Sequence, residues 1–281
     1  MIEPAAAAGY FRNGLPYNRL GDGPRPLIIF QGLLFENKPL TGIMAQTSFG
    51  QYKFLGRDFT VYVVTRKPGL PEGYSMKDIA DDYAVMIRQA FGGPVDVIGV
   101  STSGSIVQHF AADHPDLVRK LIIHSSAYTL SDVSKRLQME LGHLARQRQW
   151  RKVYALMLDF IFPHEGIMKY LAGPIVWLGS SLAALANGSI DPSDLVVTIE
   201  AEDKHDFKDR LAEITAPTLV IAGDKDPFYT PALFRETAAG IPNARLILYG
   251  GMGHPASGEQ FARDILAFLK EDASGSPEES L

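Results

Sequence analysis

The 281-residue chain is predicted to fold as an α/β protein, a mostly parallel sheet covered by helices on both faces. Three observations predict it. Short β-branched runs alternate with helix-length amphipathic segments. The runs are apolar throughout, as strands buried on both faces are. One long helical stretch interrupts the alternation without ending it.

In order along the chain, the strand runs are Leu27-Ile-Ile-Phe30, Thr60-Val-Tyr-Val-Val-Thr65, Val95-Asp-Val-Ile-Gly-Val100, Lys120-Leu-Ile-Ile-His124, Thr218-Leu-Val-Ile-Ala222 and Arg245-Leu-Ile-Leu-Tyr249. Residues before Leu27 are expected to add one or two antiparallel edge strands. Helices are expected at 76–91, 104–114, 231–240 and 259–270. From Tyr128 to Phe207 the pattern is helical with no buried strand, so this segment is an insertion between two core strands. The expected organisation is a core at 1–128 and 208–271, a helical insertion at 129–207, and a disordered tail at 272–281 rich in Ser, Glu, Gly and Pro. Within the insertion, a basic helix (Lys135, Arg136, Arg146, Arg148, Arg151, Lys152) reads as a solvated face. The run 171–186 is broken by Gly173, Pro174 and Gly179 and is too short to span a bilayer; it reads as a buried or cleft-lining helix.

Composition narrows the function. With 46% hydrophobic and 21% charged residues and a mean hydropathy near zero, the chain can bury a large core. A net charge of −5 argues against a nucleic-acid partner. The absence of cysteine excludes disulfides, thiolate nucleophiles and Cys-ligated zinc. Met1 to Tyr10 has neither a basic leader nor a long apolar stretch, so it does not read as a signal peptide, and a cytoplasmic location is expected. The expected partner is a small-molecule substrate, with no membrane partner; self-association stays open.

In the segment from Val95 to Ser105 a buried strand runs into Gly99-Val-Ser101-Thr-Ser103-Gly104 and then into an amphipathic helix. A nucleophilic serine projecting above a sheet edge needs this context, because the chain reverses that sharply only between small residues. The helix start also directs free N–H groups and a positive dipole end at the place where an oxyanion would form. Ser103 is a rival nucleophile, since Ser101, Ser103 and Ser105 alternate; strand register and Gly99 favour Ser101.

A serine needs a base, and imidazole suits neutral pH. Of seven histidines, His254 follows a strand within Gly250-Gly-Met-Gly-His254, on the same sheet edge as Ser101. His109 and His114 lie on the helix after Ser101, His143, His164 and His205 lie in the insertion, and His124 ends a strand where it could line the cleft. To orient the base, Gly223-Asp-Lys-Asp-Pro227 offers two carboxylates. Asp226 is favoured over Asp224, which is expected to cap the turn.

With these motifs in place, the sequence resembles the α/β-hydrolase superfamily, in the chain order nucleophile, acid, base: Ser101, Asp226, His254. The resemblance spans residues 15–270. It rests on Gly-Val-Ser-Thr-Ser-Gly at 99–104, on 112–127, on Ala-Pro-Thr-Leu-Val-Ile-Ala-Gly-Asp-Lys-Asp-Pro at 216–227 and on Gly-Gly-Met-Gly-His at 250–254. It implies an eight-stranded, mostly parallel sheet with a helical cap inserted after the sixth strand. It also implies an oxyanion hole from two backbone N–H groups, those of Thr102 and of Leu33. Where the family usually shows His-Gly before that second donor, this chain has Gln31-Gly32. Val100 stands where many relatives carry a polar or aromatic residue. A serine at position 101 excludes the aspartate-nucleophile chemistry of dehalogenases and epoxide hydrolases.

The expected activity is hydrolysis of a carboxylic ester, thioester or lactone of a small, partly hydrophobic molecule. Leu33, Leu34, Phe35 and the apolar insertion segments point to that hydrophobicity. Carbon–carbon bond hydrolysis or cofactor-free peroxide chemistry on the same residues is the alternative within enzymes, and a ligand receptor on a hydrolase fold is the alternative outside them. No cofactor and no metal are implied. Glu200, Glu202, Asp203 and Asp206 read as a charged, solvated face and not as a cation site.

Overall fold

A computed structural model describes residues 7–161 and 190–271; the run 171–186, His164 and the tail 272–281 lie outside them. Eight strands form one sheet: β1 (Ala7–Tyr10), β2 (Pro16–Leu20), β3 (Arg25–Phe30), β4 (Phe59–Val64), β5 (Val95–Val100), β6 (Val118–His124), β7 (Thr218–Gly223) and β8 (Ala244–Tyr249). Their order across the sheet is β1-β2-β4-β3-β5-β6-β7-β8. The β1/β2 and β2/β4 pairs are antiparallel, and all the others are parallel. Of the one or two antiparallel strands expected before Leu27 there are two, β1 and β2. The six runs read from sequence become β3 to β8, each starting at most two residues earlier than expected.

Alternation along the strands divides the core in two. Leu27 and Ile29 of β3, Val61 and Val63 of β4 and Ile98 of β5 pack with Phe261 and Ile265 of the last helix. Ile28 and Phe30 face the other way, against Ile79, Tyr83, Ile106 and Phe110. Burial on both faces holds for β3, β5 and β7, whereas β8 at the sheet edge is only half-buried, no strand among the described residues pairing beyond it.

Among the described residues the helices are α1 (Gly42–Gly50), α2 (Met76–Ala90), α3 (Thr102–Asp113), α4 (Asp132–Arg146), α5 (Trp150–Ile161), α6 (Ser193–Asp203), α7 (Pro231–Gly240) and α8 (Glu259–Lys270). Helix α2 begins where a capping box forms, the Ser75 hydroxyl accepting from Asp78 N–H while the Asp78 carboxylate accepts from Ser75 N–H. Helix α1 and the 3₁₀ turn Lys53–Arg57 were not expected: Gly-Ile-Met-Ala-Gln-Thr-Ser-Phe-Gly carries no apolar stripe, and Thr41 makes no side-chain cap. Helix α3 starts at Thr102 and not at Gly104, so Ser101 is itself the residue before the first turn.

Strand order reverses between β3 and β5: the chain passes from β3 outward to β4, then returns across β3 to β5. The carboxyl ends of β3 and β5 therefore border a crevice, the position at which open parallel sheets bind ligands. Gln31 to Leu33 leave β3 there, and Ser101 leaves β5. After β6 come α4, α5 and α6, which share an apolar cluster of Leu141, Leu144, Trp150, Val153, Leu195 and Ile199. Asp194 at the start of α6 docks on the loop after β4, accepting from Leu70 N–H at 2.8 Å, Gly69 N–H at 3.1 Å and Asn37 Nδ2 at 3.2 Å.

Two glycines let α3 follow β5 so closely. A Cβ at Gly99 would lie 2.3 Å from Val107 Cγ2 and 2.6 Å from the Ser103 carbonyl oxygen; one at Gly104 would lie 2.2 Å from Ser126 Cβ. Gly104→Ala is expected to cost about 3 kcal/mol and lower the melting temperature by roughly 10 °C. An unchanged melt would show that β6 and α3 are not packed this tightly.

Candidate active site

At the end of β5, Ser101 adopts φ 51° and ψ −125°, a strained conformation for a residue with a Cβ. Its N–H donates to the His124 carbonyl at 2.9 Å, and its own carbonyl accepts from Gly104 N–H at 2.6 Å. This turn lifts the side chain out of the sheet edge. Ser101 Oγ lies 3.0 Å from His254 Nε2, and His254 Nδ1 lies 2.7 Å from Asp226 Oδ2. Asp226 is held in turn, its Oδ1 accepting from Phe228 N–H at 2.8 Å and Tyr229 N–H at 3.2 Å. A carboxylate only accepts, so Nδ1 carries the imidazole proton and Nε2 is left free to accept from the serine hydroxyl.

Both rivals named above face elsewhere. Ser103 is fully buried and donates to the Gln31 carbonyl. Asp224 accepts from Gly251 N–H at 2.7 Å, bracing the turn that carries His254. His124 does not line the cleft. It is completely buried, its Nδ1 accepting from Tyr52 OH at 2.7 Å and its Nε2–H donating to the Ala256 carbonyl at 2.8 Å. His109 and His205 meet each other at 3.3 Å, and His114 pairs with Asp81 at 2.8 Å.

A cleft of about 540 Å³ opens over Ser101, lined by Gln31, Gly32, Leu33 and Thr102 from the core, by Leu137, Gln138, Leu141 and Met157 from the inserted helices, and by Phe228. Leu33 and Thr102 thus border the same space as the serine. Gly32 brings the loop after β3 against Ser101: a Cβ there would sit 3.1 Å from Ser101 Cβ. Neither the Leu33 nor the Thr102 N–H donates to a backbone carbonyl among the described residues.

A second expectation fails. Glu202 is not on a solvated face but completely buried beneath the turn that carries Ser101. Its Oε2 accepts from Thr102 Oγ1 at 2.8 Å, and its Oε1 accepts from Tyr229 OH at 3.2 Å and Ser105 Oγ at 3.3 Å. Burial raises its carboxyl above the usual range, while these donors and Gln138 pull it back. The signal was present in the sequence: Leu195, Ile199 and Glu202 follow the spacing i, i+4, i+7 of one helix face. Glu200 on the opposite side behaves as expected and pairs with Arg146 at 2.7 Å. Among the described residues no group of three or more His, Asp or Glu side chains could hold a metal ion, and no helix is long and apolar enough to cross a membrane.

Two buried imidazoles, His124 and His205, and the half-buried His109 tie stability to pH. Desolvation lowers His124 and His205 to about 3 and His109 to about 4. In the unfolded chain each titrates near 6.5, so below that pH the unfolded state takes up protons that the fold refuses. Stability should fall as pH drops from about 6.5 toward 4, by up to about 1.4 kcal/mol per pH unit for each group. Glu202 opposes part of this slope, since acid favours its neutral, buried form. Urea midpoints at pH 7 and pH 5 test the expectation, and His124→Gln should narrow the gap between them. Equal midpoints in the wild type would refute it.

The crevice at the strand-order reversal and the Ser101–His254–Asp226 hydrogen-bond chain lie together at the carboxyl edge of the parallel sheet. Residues 43–265 match the sequence model of the alpha/beta hydrolase family, and the chain belongs to that family and is a hydrolase. It is 28% identical over 228 residues to the "Putative carbamate hydrolase RutD" of Serratia proteamaculans, covering 78% of this chain and 84% of that protein. Its fold is shared by MGS-M2, an alpha/beta hydrolase from a Medee basin deep-sea metagenome library (TM-score 0.75, 15% identity, 95% of this chain and 98% of that one). The enol-lactonase of Burkholderia xenovorans LB400 is similar too (TM-score 0.73, 19% identity, 94% and 100%).

Proposed function

We propose that the chain is a serine hydrolase that cleaves a carboxylic ester, thioester or lactone of a small, partly hydrophobic molecule. The observation that carries this reading is the unbroken hydrogen-bond chain from Ser101 Oγ through His254 to Asp226, set on a strained turn at the cleft floor. Ser101 Oγ attacks the acyl carbon while His254 Nε2 takes its proton. The N–H groups of Leu33 and Thr102 hold the oxyanion. As the tetrahedral adduct collapses, the alkoxide or thiolate leaves with the proton from Nε2. Water, deprotonated by His254, then releases the acyl group and restores Ser101. A relative named "Putative carbamate hydrolase RutD" and an enol-lactonase among the similar structures are consistent with acyl chemistry.

In this reading the helices inserted between β6 and β7 are a cap that selects the substrate. The described residues lining the cleft bring apolar surface (Leu33, Leu141, Met157, Phe228) and neutral amides (Gln31, Gln51, Gln138). Neutral acyl esters of medium length should therefore show at least about tenfold higher kcat/KM than short polar ones, because each buried methylene adds about 0.8 kcal/mol; equal turnover of the two series would contradict the cap's proposed role. The activity itself is tested with a fluorophosphonate probe, which should label Ser101 in the folded protein and fail to label Ser101→Ala. Product analysis on a β-diketone against an aryl ester separates acyl hydrolysis from carbon–carbon cleavage.

A further inference from the structure

We propose that Arg66 is the positioning residue of the oxyanion hole, fixing the peptide between Gly32 and Leu33 so that the Leu33 N–H faces the cleft. The inference rests on the reading of Ser101 as an acyl-transfer nucleophile. Arg66 follows β4 by two residues and is completely buried. Its Nη1 donates to the Gly32 carbonyl at 2.9 Å and to the Gln31 carbonyl at 3.2 Å. In a trans peptide the C=O and the next N–H point in opposite directions across one rigid plane. Drawing the Gly32 oxygen down to a buried guanidinium therefore turns the Leu33 N–H upward, toward the space above Ser101.

This loop needs such an anchor. Gly32 has no Cβ to restrict its backbone, and one added there would crowd Ser101 Cβ at 3.1 Å and the Val100 carbonyl at 3.3 Å. Gln31, where relatives in the resemblance carry histidine, does not fasten the loop through its own amide nitrogen: Gln31 Nε2 is buried without a partner. The loop is held instead through its carbonyls, by Arg66 and by the Ser103 hydroxyl on Gln31. Structural stability alone would not favour this arrangement. Arg66 leaves Nε and Nη2 buried without a partner, and a well-packed apolar side chain would avoid that desolvation cost. A cation directly behind the loop also favours negative charge developing in front of it.

Arg66→Met and Arg66→Lys in the full chain test the proposal, with active sites counted by stoichiometric fluorophosphonate labelling and kcat expressed per labelled site on a p-nitrophenyl ester. Arg66→Met should lower kcat about 100-fold with KM within about threefold of the wild type. Affinity for an aryl boronic acid, whose tetrahedral adduct places an oxygen in the hole, should fall in parallel. Arg66→Lys, which retains a cation but not the fork, should recover about tenfold of the loss. A kcat per site within about threefold of the wild type in Arg66→Met overturns the proposal, even when fewer sites are labelled, because that pattern is structural support alone. If Arg66→Met does not fold, Arg66→Lys decides at the same threefold limit. Wild-type protein that fails to label at all refutes the reading of Ser101 instead, and does so before any Arg66 variant is compared.

Discussion

Ser101→Ala is expected to reduce hydrolysis by about 10⁵ to 10⁶-fold in kcat, down to what binding and the oxyanion donors sustain alone. Losing Oγ removes the atom that would form the acyl-enzyme and leaves His254 Nε2 facing an empty carbonyl approach. The fold should persist, because the backbone bonds of the turn, Ser101 N–H to the His124 carbonyl and Gly104 N–H to the Ser101 carbonyl, do not involve the side chain. Alanine keeps the strain of φ 51°, whereas glycine releases it. Ser101→Gly should therefore melt several degrees above Ser101→Ala, a strain of about 1–3 kcal/mol being relieved, with both equally inactive. Calorimetry on the pair isolates the backbone cost of presenting the nucleophile. Retained turnover in the alanine variant would end the case for Ser101, and equal melting temperatures would show that the turn stores no strain.

The sheet was legible because β3, β5 and β7 are buried on both faces and so are written as unbroken apolar runs. Ser101 and Asp226 each follow the end of such a run, and His254 follows the half-buried edge strand β8. What stayed hidden depends on contacts remote in sequence. Arg66 reads as an ordinary loop cation until β3 and β4 pair and the Gln31–Gly32 carbonyls arrive over it. Glu202 reads as one of several acidic residues until α6 packs beneath the Ser101 turn, about one hundred positions away along the chain, and Thr102 and Tyr229 close on it. Helix α1 was hidden for the opposite reason. Its nine residues have neither stripe nor cap, so only tertiary packing, as of Phe49 in the core beside Tyr52 and Leu55, accounts for it.

Asp226→Asn should lower kcat about 10⁴-fold while leaving KM and the fold nearly unchanged. The reason lies in which atom must go where. Oδ1 accepts from Phe228 and Tyr229 N–H, and an asparagine can meet that demand only with its carbonyl oxygen. Its amide nitrogen then occupies the place of Oδ2, 2.7 Å from His254 Nδ1, and presents a proton there. Nδ1 must accept, so the imidazole proton moves to Nε2, where it points at Ser101 Oγ. The base is present, correctly placed and in the wrong tautomer. Asp224 cannot substitute, being engaged with Gly251 N–H on the outer side of the turn. Asp226→Ala supplies the contrast: it leaves two N–H groups without their acceptor and should be less stable than Asp226→Asn by about 1–3 kcal/mol. Steady-state kinetics with thermal melts on both variants separates tautomer control from scaffolding. An asparagine variant within about tenfold of wild-type kcat would mean that Asp226 holds the loop and does not set the base.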